Sequence, residues 1–248
     1  MLVSLIIILL SATGIMKSLI FEEKFEGEEL DPLKWNYELG EGENAWKGHQ
    51  LQYYRKNKEN IFIKDNQLHI RAKKENFGNF SYTSSRINTK NAFHFTYGYL
   101  ETRIKFPIGF GILPSFRLIG ANIDEELWPK CGQINLIESR EEDYVIYHSI
   151  YWENEETKKE ALYDIETYED DYNEFHIYRL IWTEDKIIMN IDDREYFNLS
   201  ISDELKTKAF QNEFYLYISL AVGKDIINES DSPISFQMVI DYITIEKN

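Results

Sequence analysis

Residues 128–140 read WPKCGQINLIESR, from Trp128 to Arg140. After Gly132 the segment is apolar and of strand length, yet it carries polar side chains at Gln133, Asn135 and Glu138. In an extended strand residues i and i+2 share a face, so Gln133 and Asn135 point the same way and residue i+5 points to the other. A β-bulge between Asn135 and Glu138 inserts one residue and returns Glu138 to the first face. The expectation is a buried strand with one apolar face and one row of three polar groups. Buried polar groups need partners, so such a row is either a polar network or the floor of a cleft.

The surrounding sequence repeats the strand signal. IFIKDNQLHIRA, from Ile61 to Ala72, holds two short β-type runs around Asp65-Asn66, residue types that tolerate positive φ in a tight hairpin. From Tyr99 to Phe106, Leu100, Thr102, Ile104 and Phe106 alternate with Tyr99, Glu101, Arg103 and Lys105, the period of a half-solvated antiparallel strand. Ile187, Met189 and Ile191 precede Asp192-Asp193, with Tyr196 and Phe197 after them, a second hairpin pattern. Phe214–Val222 and Phe236–Ile245 are apolar runs of strand length, and the one helix candidate is Glu155–Leu162. No repeat, low-complexity linker or composition break follows the N-terminus. The pattern predicts a single all-β domain, an antiparallel sandwich or jelly roll.

Composition limits the partners. Hydrophobic residues make up 43% of the 248 and aromatics 15%, enough for a sizeable core. A formal net charge of −16 argues against nucleic acid and anionic membrane surfaces, which repel a polyanion, and leaves neutral sugars open. The nine-residue run Leu2–Leu10 is too short for a membrane span of about 20 residues, so no membrane insertion is expected. It fits the apolar region of a secretory signal peptide, with cleavage near residues 14–18. The organisation expected is a signal peptide over residues 1–18 and one domain over 19–248, secreted, with glycosylation sequons at Asn79, Asn198 and Asn228. The single cysteine, Cys131, rules out an intramolecular disulfide and is read as a small buried hydrophobe.

The three-residue row together with several ordered blocks resembles glycoside hydrolase family 16, in particular its β-1,3-glucanase branch and the related β-1,3-glucan-recognition proteins. The blocks are KWNYELG (Lys34–Gly40), LQYY (Leu51–Tyr54), YTSSRI (Tyr82–Ile87), WPKCG (Trp128–Gly132), FHIYRLIW (Phe175–Trp182), FYLYISLAVG (Phe214–Gly223) and IDYITI (Ile240–Ile245). The resemblance implies a concanavalin-like β-jelly-roll sandwich of two antiparallel sheets, with a sugar-binding groove on one of them. The family's strand carries Glu-x-Asp-x-x-Glu, a nucleophile, a helper and an acid/base. Here those positions are Gln133, Asn135 and Glu138.

A retaining glycosidase needs two carboxylates about 5 Å apart, and an amide supplies no anionic oxygen for attack. The row therefore looks like a vestigial catalytic site. Other departures follow: Leu113 and Arg117 stand at two aromatic positions of the groove, and Gln50, Ser219 and Lys224 replace a Glu, an Asn and a Gly. The resemblance leaves Arg86, Phe116, Trp128, Gln133, Glu138 and His148 as the sugar-binding set. It requires no cofactor, and offers Asp241 as a ligand for a structural Ca2+. The function expected is a secreted, non-catalytic β-1,3-glucan-binding protein, a pattern-recognition factor of innate immunity. Two alternatives stand: a glucanase using an atypical nucleophile from Asp124-Glu125-Glu126, and a scaffold repurposed for protein binding.

Overall fold

The computed structural model describes residues 18–41, 50–107, 109, 111–139, 145–154, 159–167, 173–202, 208–223 and 235–247. The strands of these residues begin with β1 (Ser18–Glu23), β2 (Asn36–Tyr37), β3 (Gln52–Tyr54), β4 (Ile61–Lys64), β5 (Gln67–Phe77) and β6 (Phe80–Ser84). There follow β7 (Arg86–Asn88), β8 (Gly98–Lys105), β9 (Ile112–Gly120), β10 (Gln133–Ser139), β11 (Ile146–Asn154) and β12 (Lys159–Thr167). The last five are β13 (His176–Trp182), β14 (Lys186–Ile191), β15 (Arg194–Ser200), β16 (Phe214–Val222) and β17 (Ser235–Lys247).

They form two sheets. One runs β15-β14-β13-β8-β17-β5-β6-β3, with β1 on β17 and β4 on β5; the other runs β12-β11-β10-β9-β16-β7-β2. Pairing is antiparallel in every ladder except β3 with β6. The jelly-roll sandwich is the fold read from the sequence. The hairpin signals also hold: Asp65 and Asn66 turn from β4 to β5 at φ 54° and 55°, and Asp192 turns from β14 to β15 at φ 52°.

One core fills the space between the sheets, and period-two alternation decides what enters it. Leu100, Ile104, Leu180, Trp182, Met189 and Ile243 meet Phe116, Leu118, Ile134, Ile150, Leu216 and Ile218 from the facing sheet. Each such side chain removed from water contributes about 1.5–3 kcal/mol, enough to hold a sandwich without a disulfide. Cys131 is free and fully buried, and burial pushes its thiol up to about 11, so it serves as packing.

Two expectations change here. The helix candidate Glu155–Leu162 is not helical where it is described: Lys159–Leu162 lie in β12, at the edge of the sheet beside β11. Ladder hydrogen bonds to a neighbouring strand outweigh a weak local preference in a short charged run. Asp241 does not fit a cation site either. Its Oδ2 pairs with Arg103 Nη1 at 2.8 Å and its Oδ1 accepts from Gln67 Nε2 at 3.0 Å, so both oxygens face donors that a metal would have to displace. Among the described residues no three His, Cys, Asp or Glu groups are gathered for a metal.

Residues 1–17, where the signal peptide is expected, lie outside the described residues, as does Asn228. The first described residues, Ser18 and Leu19, already pair with Lys247 and Glu246. Asn79 sits in the exposed β5–β6 turn and Asn198 on an exposed position of β15. Among the described residues no helix is long and apolar enough to cross a membrane.

Candidate functional site

The polar row lies on β10, near the middle of the seven-stranded sheet. Gln133 pairs with Tyr151 of β11 and Asn135 with Ser149, but Glu138 pairs with Tyr147, so one extra residue enters between Asn135 and Glu138. The same irregularity appears against β9, where Asn135 faces Arg117 and Ile137 faces Phe116. This is the bulge that the spacing required. It leaves Ile134 and Ile137 in the core and turns Gln133, Asn135 and Glu138 to the outer face. Two glycines let the chain reach this register. A side chain on Gly120 would collide with the Cys131 carbonyl, and Gly132, at φ 82°, would drive a Cβ to 2.9 Å from the Phe214 ring.

The row is joined by hydrogen bonds running in one direction. Gln133 Nε2 donates to Asn135 Oδ1 at 2.7 Å, Asn135 Nδ2 donates to Ser149 Oγ at 2.8 Å, and Ser149 Oγ donates to Glu138 Oε2 at 2.6 Å. Tyr151 OH donates to the Glu138 carboxyl from 3.2 Å. Every member is less than a tenth exposed although none faces the core, so the chain is the recessed floor of a site rather than open surface. Glu138 is the only carboxylate in this row. The amide of Gln133 carries neither an anionic oxygen nor a titratable proton.

Beside the row stands a second polar group. Arg86 of β7 is 4% exposed, and its Nη1 donates to Glu38 Oε1 at 2.9 Å while its Nη2 donates to Tyr54 OH at 3.1 Å. The guanidinium lies 4.0 Å from the Tyr54 ring centre and 5.2 Å from that of Tyr217. Burial works against its charge, but Tyr54, Tyr217 and Glu38 outweigh that and hold its pKa above the ordinary value. Gln50 adjoins this group, accepting from Gln52 Nε2 at 2.7 Å and from Tyr54 OH at 3.5 Å. Ser219, buried on β16, faces Arg86 on one side and Ser115 on the other.

Arg117 completes the floor. It is opposite Asn135 on one side and Tyr217 on the other, with its guanidinium 5.3 Å from the Tyr217 ring centre and its Nε donating to Ser115 Oγ at 2.6 Å. Leu113 shares its face, as the alternation demands. Trp128 stands at the rim, 36% exposed, its ring centre 5.8 Å from that of Tyr151 at 48°. It is therefore available for stacking and is not part of the core.

Two sequence-derived members do not belong to this face. Phe116 is fully buried and points into the inter-sheet core, because it alternates with Ser115 and Arg117. His148 is also fully buried, alternating with Tyr147 and Ser149, and its ring lies 6.2 Å from Tyr196 of the opposite sheet. Its Nδ1–H donates to the carbonyl of Leu136 at 2.8 Å. Leu136 lies inside the bulge, where the regular β10–β11 register is broken. Burial pushes His148 down to about 4, with the Leu136 carbonyl opposing, so it is neutral at physiological pH. In place of these two, the site gains Ser149 and Tyr151, which the sequence reading did not name. Of the three acids offered as substitute nucleophiles, Asp124 pairs with Lys90 and Glu126 with Lys130, each at 2.7 Å.

The family model "Glycosyl hydrolases family 16" matches residues 47–244, most of the chain. The chain belongs to glycosyl hydrolases family 16. Among curated members, this family 16 chain is 28% identical over 217 residues to the clotting factor G alpha subunit of Tachypleus tridentatus, covering 85% of this chain and 31% of that protein. It is 27% identical over 260 residues to glucan endo-1,3-beta-glucosidase A1 of Niallia circulans, covering 93% and 38%. It thus spans well under half the length of either. The crystal structure of the laminarinase catalytic domain of Thermotoga maritima MSB8 superposes with a TM-score of 0.81 at 30% identity, over 94% of this chain and 98% of that one.

Proposed function

We propose that this family 16 chain is a secreted, non-catalytic β-1,3-glucan-binding protein, acting as a pattern-recognition factor. The observation that carries the reading is Gln133 hydrogen-bonded to Asn135 in the row that ends at Glu138. A retaining mechanism needs one carboxylate to attack the anomeric carbon and a second to protonate the leaving oxygen, and this row supplies only the second. What remains suits recognition of a neutral sugar. Trp128 presents an indole face at the rim, and the amides and hydroxyls of Gln133, Asn135, Ser149 and Tyr151 offer donors and acceptors for ring hydroxyls. The ligand class is suggested by the relatives, a glucan endo-1,3-beta-glucosidase and a laminarinase.

The test has two arms. Reducing-sugar release from laminarin should not exceed that of a Glu138→Ala control, since removal of a catalytic nucleophile typically costs many orders of magnitude in rate. Calorimetry with a laminari-oligosaccharide should give a Kd between about 1 µM and 1 mM. Turnover above the control would return the protein to the enzymes, and an absence of heat and of thermal shift at millimolar oligosaccharide would remove glucan from the proposal. Secretion is tested separately by intact mass from a eukaryotic host: the product should begin between Ile15 and Leu19 and carry glycan on Asn79 or Asn198.

A further inference from the structure

The ten-stranded sheet carries an aromatic group that has no part in the site. Phe77 and Phe80 are cross-strand partners at the tip of the β5–β6 hairpin. Tyr53 of the outermost strand, β3, lies against both, its ring centre 4.9 Å from that of Phe77 and 5.3 Å from that of Phe80. Arg55 covers part of Phe77, with its guanidinium 4.4 Å from the ring centre, and is itself held by Glu75 at 3.3 Å. Phe77 nevertheless stays 37% exposed, on a strand that buries Leu68, Ile70 and Ala72 completely. Apolar area left in water is stabilisation forgone, so the exposed ring asks for an explanation. A bulge between Lys74 and Phe77 lets this part of β5 depart from the regular register, and bulges re-aim the side chains beyond them.

What joins Phe77 to Phe80 is the two-residue turn Gly78-Asn79. Gly78 takes φ 60°, and a Cβ there would meet nothing within 4 Å, so glycine serves the turn's backbone and the apex stands in open space. Asn79 is exposed at that apex and opens the sequon Asn79-Phe80-Ser81. The sequon at Asn198 is built differently: its Nδ2 donates to Glu195 Oε1 at 3.0 Å, and the adjacent Phe197 ring is fully buried in the core. A pyranose has an apolar face of C–H groups that packs on an aromatic face. A sugar tethered beside the ring meets it at high effective concentration and without the cost of association. We infer that the first sugar of a glycan on Asn79 packs on Phe77, so that Tyr53, Phe77 and Phe80 form a cradle for the protein's own glycan and the modification stabilises the hairpin. The inference rests on the secreted reading and is independent of what the groove binds.

A cycle of four full-length chains made in a eukaryotic secretory host tests the inference: wild type, Ser81→Ala, which keeps Asn79 but removes the sequon, Phe77→Ala, and the two changes together. Glycopeptide mapping reads the occupancy of Asn79, and melting curves read the effect of the glycan in each background. Glycosylated wild type should melt about 2–4 °C above Ser81→Ala, the shift that one aromatic contact gives in a chain of this size. Without the Phe77 ring the difference should fall below about 1 °C, and Phe77→Trp should restore it. Trimming the glycan to its first sugar with an endoglycosidase should leave the shift in place. An equal shift with and without the ring, no shift, or a shift lost on trimming overturns the inference. Each chain is made both with its own N-terminus and behind a known secretory leader. Secretion with Asn79 unmodified overturns the cradle and leaves the secreted reading standing. A ring-dependent shift obtained only behind the added leader upholds the cradle and overturns that reading.

Discussion

Acidification should weaken this fold through one buried ring. His148 is fully buried between the sheets and held near a pKa of 4 by that burial, whereas in the unfolded chain it titrates near the ordinary imidazole value of 6.5. Between those values the unfolded state binds a proton that the folded state refuses, so stability rises with pH across this window and is lost as pH falls. At about 1.4 kcal/mol per pH unit, the loss relative to pH 7 is about 2 kcal/mol by pH 5 and about 3 kcal/mol by pH 4. Against a typical total of about 5–15 kcal/mol, that is a large share from one residue.

His148→Phe isolates the effect, because it keeps a ring against Tyr196 but cannot titrate. At pH 7 the variant should be less stable by about 1–3 kcal/mol, the cost of leaving the buried Leu136 carbonyl without its donor. Urea unfolding at pH 7, 6, 5 and 4 on both proteins gives the difference curve, in which the many surface carboxylates largely cancel. The gap should close as pH falls and vanish or reverse by pH 4. A gap that stays constant within about 0.5 kcal/mol from pH 7 to pH 5 would refute the reasoning, since His148 would then titrate alike in both states. An imidazole NMR resonance stepping near pH 6.5 in the folded protein would do the same.

Other perturbations separate site from scaffold. Glu38→Gln removes the acidic partner that Arg86 has among the described residues and should cost about 2–3 kcal/mol in denaturant unfolding, less than the roughly 3–5 of a fully buried pair because Glu38 is partly exposed. Trp128→Ala should lower the melting temperature little, yet weaken oligosaccharide binding by about 1–3 kcal/mol in calorimetry, as an exposed aromatic at a binding rim would. Placing acids at both positions, Gln133→Glu with Asn135→Asp, brings two carboxyls to the 2.7 Å now spanned by the amides, so one should take up a proton well above the usual carboxylate range. Laminarin hydrolysis by that double variant, read as reducing sugar against pH, would show that the rest of the site still accepts substrate.

Much of this architecture was legible from period-two alternation, two pairs of turn residues and one spacing. The alternation of β8 placed Leu100, Thr102 and Ile104 inward, and the Asp65-Asn66 and Asp192-Asp193 pairs marked their turns. The spacing of Gln133, Asn135 and Glu138 demanded a bulge, and the bulge is there. The misplaced residues were legible by the same rule. Phe116 cannot share a face with Arg117, and His148 has the parity of Ile146, Ile150 and Trp152, which are core residues. Resemblance assigned them to the groove where alternation had already assigned them to the core. Ser149 and Tyr151 were hidden for another reason: no local pattern says which β11 residues face the row, because that depends on register between strands.

His148 connects these observations. A bulge that turns Glu138 toward its neighbours also breaks the ladder around Leu136, and a carbonyl left without a donor inside the protein is costly. His148 donates to that carbonyl from the next strand, so the core side of β11 helps fix a side chain on its outer side. The imidazole must be neutral to fit the apolar space between the sheets, and a neutral ring in which Nδ1 carries the proton has Nε2 as its acceptor. A residue type chosen for sugar recognition would be free to change once the site changed. One that satisfies the bulge is required as long as Glu138 is to meet Ser149 and Tyr151. The position of the Glu138 carboxylate is thus tied to the packing of the core, which explains how the row holds its geometry with neutral amides at two of its three positions.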